Sequence, residues 1–388
     1  MRARCKERIL LFGCAAIGLS LLFGLLSVEI GFRIATGDRY RDLTLNYFPP
    51  GSVIYDEVLG WNYRPGYAAT WHYFEYAFDV RIDERGLRVD DGPPAPATAP
   101  RILFLGDSFT FGVGVDAGQT FVEQTEARLR AAGLVTECLN AGRVGGGTRA
   151  ARQRLEQLID ATSPTLVIHA FFPENDLADD WLGAAPDAAR FTNHGGEPYV
   201  NGEPLAAART TPTGPLFRNS AFYRWLRMRI PGSINLGENP YQGMWFDERL
   251  IVPPDWVPAA EALTRAEWAA MQARCEARGA AFAVVLIPSD YDVDDRLWGR
   301  IVKRYGVARG HREEGYDREL PFAWAAQAGR DLGIPVLNLR PLARAAHARR
   351  GEPLYFQHDR HFTAAGHGLA AEAIAGFIQD AGLLPGGA

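Results

Sequence analysis

From residue 101 onward the chain alternates short, continuous apolar runs with segments of helical pattern. This alternation constrains the fold more than any other feature of the 388 residues. The helical segments lie at about 120–132, 150–160, 259–278 and 364–381, with Thr120 and Glu123 forming a capping box. The apolar runs lie at 102–105, 134–139, 165–172, 281–287 and 335–339. Apolar strands that alternate with helices are typical of a parallel sheet covered on both faces. The sequence therefore predicts an α/β fold with a five-stranded parallel sheet.

Polar residues of catalytic type follow three of these strands. Ser108 follows the first, the glycine-rich loop 140–147 follows the second, and Asn175 follows the third. Asp359 and His361 precede the closing helix. Ligands of open α/β sheets bind beyond the carboxyl ends of the strands, so we expect these stretches to converge on one edge.

Together these residues have the composition of an acyl-transfer site. A serine hydroxyl becomes a good nucleophile when an imidazole takes its proton, and a carboxylate then orients and stabilises the imidazole. Asp359 and His361 are two residues apart, so in an extended segment both side chains would project to one face. A developing oxyanion needs donors aimed at it. The candidates are the Ser108 amide, the Gly145 amide and the Asn175 side chain.

Each motif alone has an ordinary alternative. Gly106-Asp107-Ser108 is also a common turn tripeptide, and Asn175-Asp176 is also a helix cap. The glycine loop could hold a phosphate, but it lacks the spacing of a nucleotide loop. His358 and His367 lie near Asp359, but no carboxylate or cysteine stands at ligand spacing. The sequence therefore predicts neither a metal site nor a cofactor, and His169, inside an apolar strand, is expected to be a core residue.

The motifs resemble those of a known family. The string Gly106–Gly114, the Asn140-x-Gly-x-x-Gly145 loop, Glu174-Asn175-Asp176 and the block from Asp359 to His367 are similar to the four blocks of SGNH (GDSL-type) hydrolases. The resemblance spans about residues 100–385. It implies a flavodoxin-like three-layer α/β/α sandwich with strand order 2-1-3-4-5. It also implies a catalytic Ser108, His361 and Asp359, with an oxyanion hole formed by Ser108, Gly145 and Asn175.

Two positions depart from the family pattern. The usual block has aspartate three residues before the histidine; that position is His358, and Asp359 is one residue closer. This shorter form is similar to that of SGNH-like proteins that acetylate exported polysaccharides. Pro173 stands where the third block usually has glycine.

The N-terminus predicts a membrane anchor. Residues 9–28 form an uncharged apolar run long enough to cross a bilayer, and four basic residues precede it, which favours a cytoplasmic tail at 1–8. A cleaved signal peptide is the main alternative, although the run does not end in an Ala-x-Ala-like site. With the anchor retained, the rest of the chain would lie in the periplasm or otherwise outside the cytoplasm.

Three further segments are predicted from composition. Residues 44–90 are rich in aromatics and turn residues, which indicates a small β-rich segment, and a proline-rich linker follows at 91–100. Residues 101–388 would form the SGNH domain, interrupted at about 177–257 by an aromatic-rich insertion. Cys138 and Cys275 are either a distant disulfide or two buried apolar side chains, and the second interpretation is preferred.

The predicted function is hydrolysis of O-acyl esters, O-acetyl esters above all, of an envelope or exported carbohydrate. An O-acetyltransferase with the same triad is the alternative, and an inactive carbohydrate-binding module is a third class. The net charge of −5 carries no basic block, so no nucleic acid partner is expected. The expected partners are the substrate and the membrane.

Overall fold

The computed structural model describes most of the chain. The residues described are 2–37, 48–73, 75–92, 95–184, 191–200, 202–206, 220–229, 244–303, 312–349 and 351–384. Parts of the predicted segments lie outside them: residue 1 of the tail, 44–47 and 74 of the β-rich segment, 93–94 of the linker, several stretches of the insertion, and 304–311, 350 and 385–388 of the predicted SGNH domain. The chain forms two compact units, one made of 1–45, 72–75 and 209–238, the other of 46–71, 76–208 and 239–388.

The elements follow one another in the predicted strand-and-helix rhythm after residue 100. The strands are β1 Val53–Asp56, β2 Gly60–Tyr63, β3 Ala68–His72, β4 Ala77–Arg81, β5 Arg101–Gly106, β6 Glu137–Asn140, β7 Leu166–Phe171, β8 Phe191–His194, β9 Glu197–Val200, β10 Glu203–Pro204, β11 Ala281–Leu286 and β12 Val336–Asn338. The α-helices are α1 Arg2–Thr36, α2 Ser108–Phe111, α3 Phe121–Ala131, α4 Thr148–Thr162, α5 Pro173–Ala184, α6 Ala221–Met228, α7 Trp256–Glu276, α8 Asp290–Val293, α9 Asp295–Ile301, α10 Leu320–Leu332, α11 Arg340–Ala348 and α12 Ala364–Asp380.

The central sheet confirms the predicted fold. Its five strands pair in the order β12-β11-β7-β5-β6, which is the order 2-1-3-4-5 read from the other edge. All four pairings are parallel. Val167 of β7 lies opposite Leu103 of β5 on one side and opposite Phe282 of β11 on the other. The carboxyl ends of β5, β6, β7 and β11 therefore lie along one edge.

Each face of the sheet is covered by helices, because the strands are apolar on both sides. Buried side chains of α4, α7 and α10 form one core cluster with the sheet. Buried side chains of α3 and α12 form the other. Cys275 belongs to the first cluster and Cys138 to the second, and both are free thiols. The structure thus shows two small buried side chains and no disulfide between them.

The aromatic segment before the sheet folds into two short antiparallel pairs, β1 with β2 and β3 with β4. In β4 the buried Phe78 and Val80 alternate with exposed residues, as the sequence pattern predicts. A third core cluster joins these strands to Phe111 and Val113, which follow Ser108 in the chain. The pair β8–β9 and the short β10 add Leu205, Phe191 and Val200 to this cluster.

The smaller unit contains α1 and α6. Phe12–Thr36 of α1 is long and apolar enough to cross a membrane, with an exposed apolar surface. Near its end, Glu29 accepts hydrogen bonds from Ser220 Oγ, Ala221 N and Phe222 N at the start of α6. Phe32 packs on Phe222, with ring centroids 5.7 Å apart. An apolar N-terminal helix is thus present in the folded chain.

Candidate active site

Ser108 lies at the first position of α2, directly after β5. The buried Asp107 caps this helix, because its carboxylate accepts a hydrogen bond from Phe109 N at 2.8 Å. Gly106 has φ +152°, and a Cβ there would lie 2.7 Å from Ala170 O and closer still to Thr110. A glycine is therefore required for the chain to turn from strand into helix at this point, which leaves Ser108 at the sheet edge.

The structure brings Ser108, His361 and Asp359 together. His361 Nε2 lies 2.7 Å from Ser108 Oγ, and His361 Nδ1 lies 2.5 Å from Asp359 Oδ2. Asp359's side chain is fully buried, whereas that of His361 is 14% exposed. The imidazole can therefore face a substrate while its carboxylate partner is shielded from water.

The loop that carries Asp359 and His361 is a turn, not the extended segment predicted from their spacing. Arg360, between them, has φ +70°, a left-handed conformation that is unusual for a residue with a side chain. Phe356 N donates to His361 O at 2.9 Å and closes the turn. The prediction of an extended conformation was therefore wrong, although the two side chains do meet.

Arg360 is held in place by a carboxylate from another strand end. Its Nε lies 2.9 Å from both carboxylate oxygens of Asp290, at the start of α8, and its guanidinium lies over the Tyr291 ring at 4.9 Å. Glu174 of α5 is 3.9 Å away. A left-handed conformation costs a non-glycine residue about 1–3 kcal/mol, and the contacts of Arg360 offset this cost.

The charges around His361 favour its protonated form. Burial lowers the pKa of the imidazole, but the charge and hydrogen bond of Asp359 outweigh burial, and the net result is a raised pKa. Asp107 and Glu174 add to this effect. Burial also raises the pKa of Asp107, to about 6. An imidazole that binds a proton more tightly than usual is suited to act as a general base.

The glycine loop is tied to the nucleophile segment. Asn140, at the end of β6, donates from Nδ2 to Thr110 O at 2.8 Å and accepts from Gly142 N at 3.0 Å. Arg143 N donates to Gly106 O at 2.9 Å. A Cβ on Gly142 would lie 2.1 Å from Phe111 N, so only glycine allows this close approach. Gly145, with φ +69°, lies on the exposed part of the loop.

Asn175 lies in the first turn of α5, after β7. It is half-buried, and its side-chain oxygen has no hydrogen-bond partner among the described residues. Its neighbour Asp176 is buried and accepts from Phe172 N at 2.8 Å. Burial and the charge of Asp107 raise the pKa of Asp176 well above its ordinary range. Ser108, Gly145 and Asn175 thus follow three adjacent strands at one edge, as expected from the sequence.

Two tyrosines of the β-rich segment also contact the site, and the sequence did not reveal them. Tyr76 Oη donates to Asp359 Oδ2 at 2.7 Å. Tyr63 Oη accepts from Val144 N, next to Gly145, at 3.2 Å. Neither tyrosine belongs to a motif, and both lie in a stretch where aromatic residues are common.

Two other buried histidines, His169 and His367, have structural partners. His169 Nδ1 accepts from Trp268 Nε1 at 3.1 Å, which confirms it as a core residue. His367 Nδ1 accepts from Phe121 N at 3.1 Å, at the start of α3. Burial lowers the pKa of each to about 3, so both are neutral. In the described part of the chain, no group of three or more His, Cys, Asp or Glu residues could hold a metal ion.

Comparison with known proteins agrees with the resemblance seen in the motifs. Residues 246–387 match the family described as SGNH hydrolase-like domain, acetyltransferase AlgX. The match covers the C-terminal part of the chain. The matched stretch includes Asp359 and His361, and the resemblance to this superfamily and to its acetyltransferase-like members is confirmed. No curated protein sequence matches the chain.

Several solved structures are similar in part. TesA is 14% identical, with TM-score 0.39, over 72% of this chain and 98% of its own. A lipase/acylhydrolase from Enterococcus faecalis is 16% identical, with TM-score 0.38, over 74% and 100%. A two-domain esterase active on acetylated mannans is 15% identical, with TM-score 0.37, over 74% and 51%. At these TM-scores the likeness says nothing about activity. The match to an SGNH hydrolase-like family supports an ester-acting hydrolase or an acyltransferase.

Proposed function

We propose that the protein is a serine esterase of the SGNH type that removes O-acyl groups, acetyl groups above all, from an envelope or exported carbohydrate. The observation that carries the proposal is the continuous chain of contacts from Ser108 Oγ through His361 to Asp359, at 2.7 and 2.5 Å. This is the arrangement that a serine nucleophile requires. The membrane helix would place the domain outside the cytoplasm, where such a substrate occurs.

Each residue has one step in the proposed reaction. Ser108 Oγ attacks the ester carbonyl as His361 Nε2 takes its proton, and Asp359 stabilises the imidazolium. The Ser108 amide, the Gly145 amide and the Asn175 side chain would donate to the oxyanion. Collapse breaks the bond to the leaving alkoxide, which takes the proton from His361, and an acyl-Ser108 ester remains. Water, deprotonated by His361, then attacks that ester. The bond from the acyl carbon to Ser108 Oγ breaks, His361 returns the proton to Ser108 Oγ, and the carboxylic acid leaves.

O-acetyl transfer is a second candidate, because the matched family is described as an acetyltransferase. The two reactions share every step up to the acyl-enzyme. They differ in the second nucleophile, which is a sugar hydroxyl in the transferase. The same residues therefore support both activities, and only the acceptor distinguishes them.

The test uses the full-length chain in detergent micelles with p-nitrophenyl acetate as substrate. Wild type should release p-nitrophenol and should be labelled at Ser108 by a fluorophosphonate, whereas Ser108→Ala should lose at least about 10³-fold in kcat/KM. Ser163→Ala, a change of the same type at an exposed helix end, is the matched control and should retain activity. Equal turnover by wild type and Ser108→Ala would contradict the proposal.

An acceptor assay separates the two reactions. In one reaction the enzyme receives acetylated oligosaccharides. In the other it receives unacetylated oligosaccharides together with p-nitrophenyl acetate. The masses of the sugars are then measured by mass spectrometry. Loss of acetyl from the first supports the esterase. Acetyl gained by the second, in wild type but not in Ser108→Ala, supports the transferase instead.

A further inference from the structure

A single carboxylate oxygen of Asp359 has two donors. His361 Nδ1 lies 2.5 Å from Asp359 Oδ2, and Tyr76 Oη lies 2.7 Å from the same atom. Tyr76 is 283 residues before Asp359 in the sequence and immediately precedes β4 of the β-rich segment. A residue that precedes the central sheet in the chain therefore contacts the buried end of the Ser108–His361–Asp359 chain.

The Tyr76 ring packs between two other aromatic rings. Its centroid lies 4.6 Å from that of Phe356, in the loop before Asp359, and 5.6 Å from that of Phe78 in β4. A Cβ on Gly114 would lie 2.5 Å from the Phe356 ring and 3.0 Å from the Tyr76 ring. Gly114 ends the motif string that begins at Gly106, and its lack of a side chain makes room for both rings.

We propose that Tyr76 is a positioning residue for acyl transfer: its hydroxyl fixes Asp359 Oδ2 toward His361 Nδ1 and shares the negative charge of that oxygen. The inference rests on the proposed function, since it concerns the carboxylate that serves Ser108. A hydrogen bond that holds a group behind the reacting residues tunes both its orientation and its basicity. The β-rich segment thereby contributes to the reaction without touching substrate.

The hydroxyl should also affect the titration of His361. Three carboxylates act on the imidazole: Asp359, Asp107 before Ser108, and Glu174 on α5. His367 on α12 also interacts with it, and Arg360, in the same loop as His361, pairs with Asp290 and lies 3.9 Å from Glu174. Tyr76 Oη donates directly to the oxygen that stabilises the imidazolium. Without that donor, more of the charge on Asp359 Oδ2 acts on His361. The protonated imidazole is then favoured more strongly, and the base form appears only at higher pH.

The test is the pH profile of Tyr76→Phe in the full-length chain. We expect kcat for p-nitrophenyl acetate to fall about 10-fold, the effect of a lost hydrogen bond of about 1.4 kcal/mol. KM should be unchanged, because in this proposal Tyr76 acts only through Asp359. The acidic limb of kcat/KM should move to higher pH. Tyr55→Phe, the same change in β1 of the same segment, should leave both the rate and the limb unchanged.

A second variant separates positioning from a purely structural role. Tyr76→3-fluorotyrosine keeps the shape of the ring but makes the hydroxyl a stronger donor, so the limb should move to lower pH. A hydroxyl that only supported the fold would change the amount of active enzyme without moving the limb in either direction. This variant also preserves the test if Tyr76→Phe does not fold.

The outcomes distinguish the inference from the function on which it rests. The proposed function and the inference are both supported if Ser108→Ala loses activity and the acidic limb of kcat/KM moves in opposite directions in the two Tyr76 variants. Loss of activity in Ser108→Ala with an unchanged rate and limb in both Tyr76 variants overturns the inference alone. Full activity in Ser108→Ala overturns the proposed function and, with it, the role of Tyr76.

Discussion

At the scale of single residues, the proposed function makes the titration of His361 the determinant of the pH range of activity. Burial opposes its protonation, but the carboxylate of Asp359 more than compensates, so the pKa of His361 is raised. Only the neutral imidazole can take the proton of Ser108. Activity should therefore rise with pH along a limb whose midpoint lies above about 6.5, the ordinary value for histidine.

The measurement is kcat/KM for an uncharged ester from pH 5 to 9. Asp359→Asn removes the charge that raises the pKa, so its residual activity should follow a limb at lower pH, with kcat reduced about 10³- to 10⁴-fold. Asp331→Asn, on the exposed end of α10, is the matched control. A limb that stays in the same place in Asp359→Asn would contradict this explanation of the raised pKa.

The residue scale also shows which parts of the site a sequence can reveal. Ser108, Asp359 and His361 stand in short strings beside predicted strands and helices, so their meeting could be predicted. The left-handed Arg360 could not, because its conformation depends on a contact with Asp290, 70 residues away. Tyr76 was hidden for a similar reason, since its partner is 283 residues distant and no spacing marks it.

At the scale of elements, α1 contributes to the start of α6. The first amides of any helix lack partners within the helix. In α6, Glu29 accepts from Ala221 N at 2.7 Å and from Phe222 N at 3.1 Å, and Ser220 Oγ accepts from Tyr223 N at 3.0 Å. A carboxylate at the end of an apolar helix thus serves as the cap of another helix.

Glu29→Ala should therefore loosen the start of α6. Each lost capping bond is worth about 1 kcal/mol, so the Ala221 and Phe222 amides should exchange with deuterium about 5- to 30-fold faster. The measurement is hydrogen exchange of the full-length chain in detergent micelles. Ser27→Ala, nearby on α1 where the hydroxyl bonds within the helix, should leave exchange unchanged. An equal rate in Glu29→Ala and wild type would show that the contact does not stabilise α6.

Element boundaries were less predictable than element types. The second strand was predicted from Leu134, but β6 begins at Glu137. Leu134 instead completes the end of α3, where its amide bonds to Leu129 O beyond Gly133 at φ +87°. In the sequence, an apolar residue that follows a helix-ending glycine is easily mistaken for the first residue of an apolar strand, although it packs against the helix. The strand order could be inferred only from the family resemblance, because apolar runs do not encode which neighbours they pair with.

At the scale of the whole molecule, Arg88 links the β-rich segment to the nucleophile. Its buried guanidinium donates to Phe111 O, Gly112 O and Val115 O, at 2.6 to 2.7 Å, and to Asp79 O in β4 at 2.9 Å. Its backbone amide also donates to Asn140 O, at the end of β6. The segment and the sheet therefore share one network of buried polar contacts. This network predicts that they unfold together.

Arg88→Leu should lower the free energy of unfolding by more than about 3 kcal/mol. It removes several charge-assisted hydrogen bonds, each worth about 1.5–3 kcal/mol, and leaves buried carbonyls without a donor. Urea unfolding of the full-length chain, followed by tryptophan fluorescence, measures the change. Arg85→Leu, three residues earlier on an exposed turn, should stay within about 0.5 kcal/mol of wild type.

If the segment were instead an independent domain, Arg88→Leu would split the unfolding transition in two and leave fluorophosphonate labelling of Ser108 intact. A single transition at lower urea, with labelling lost in parallel, is the result expected of a segment built into the catalytic domain.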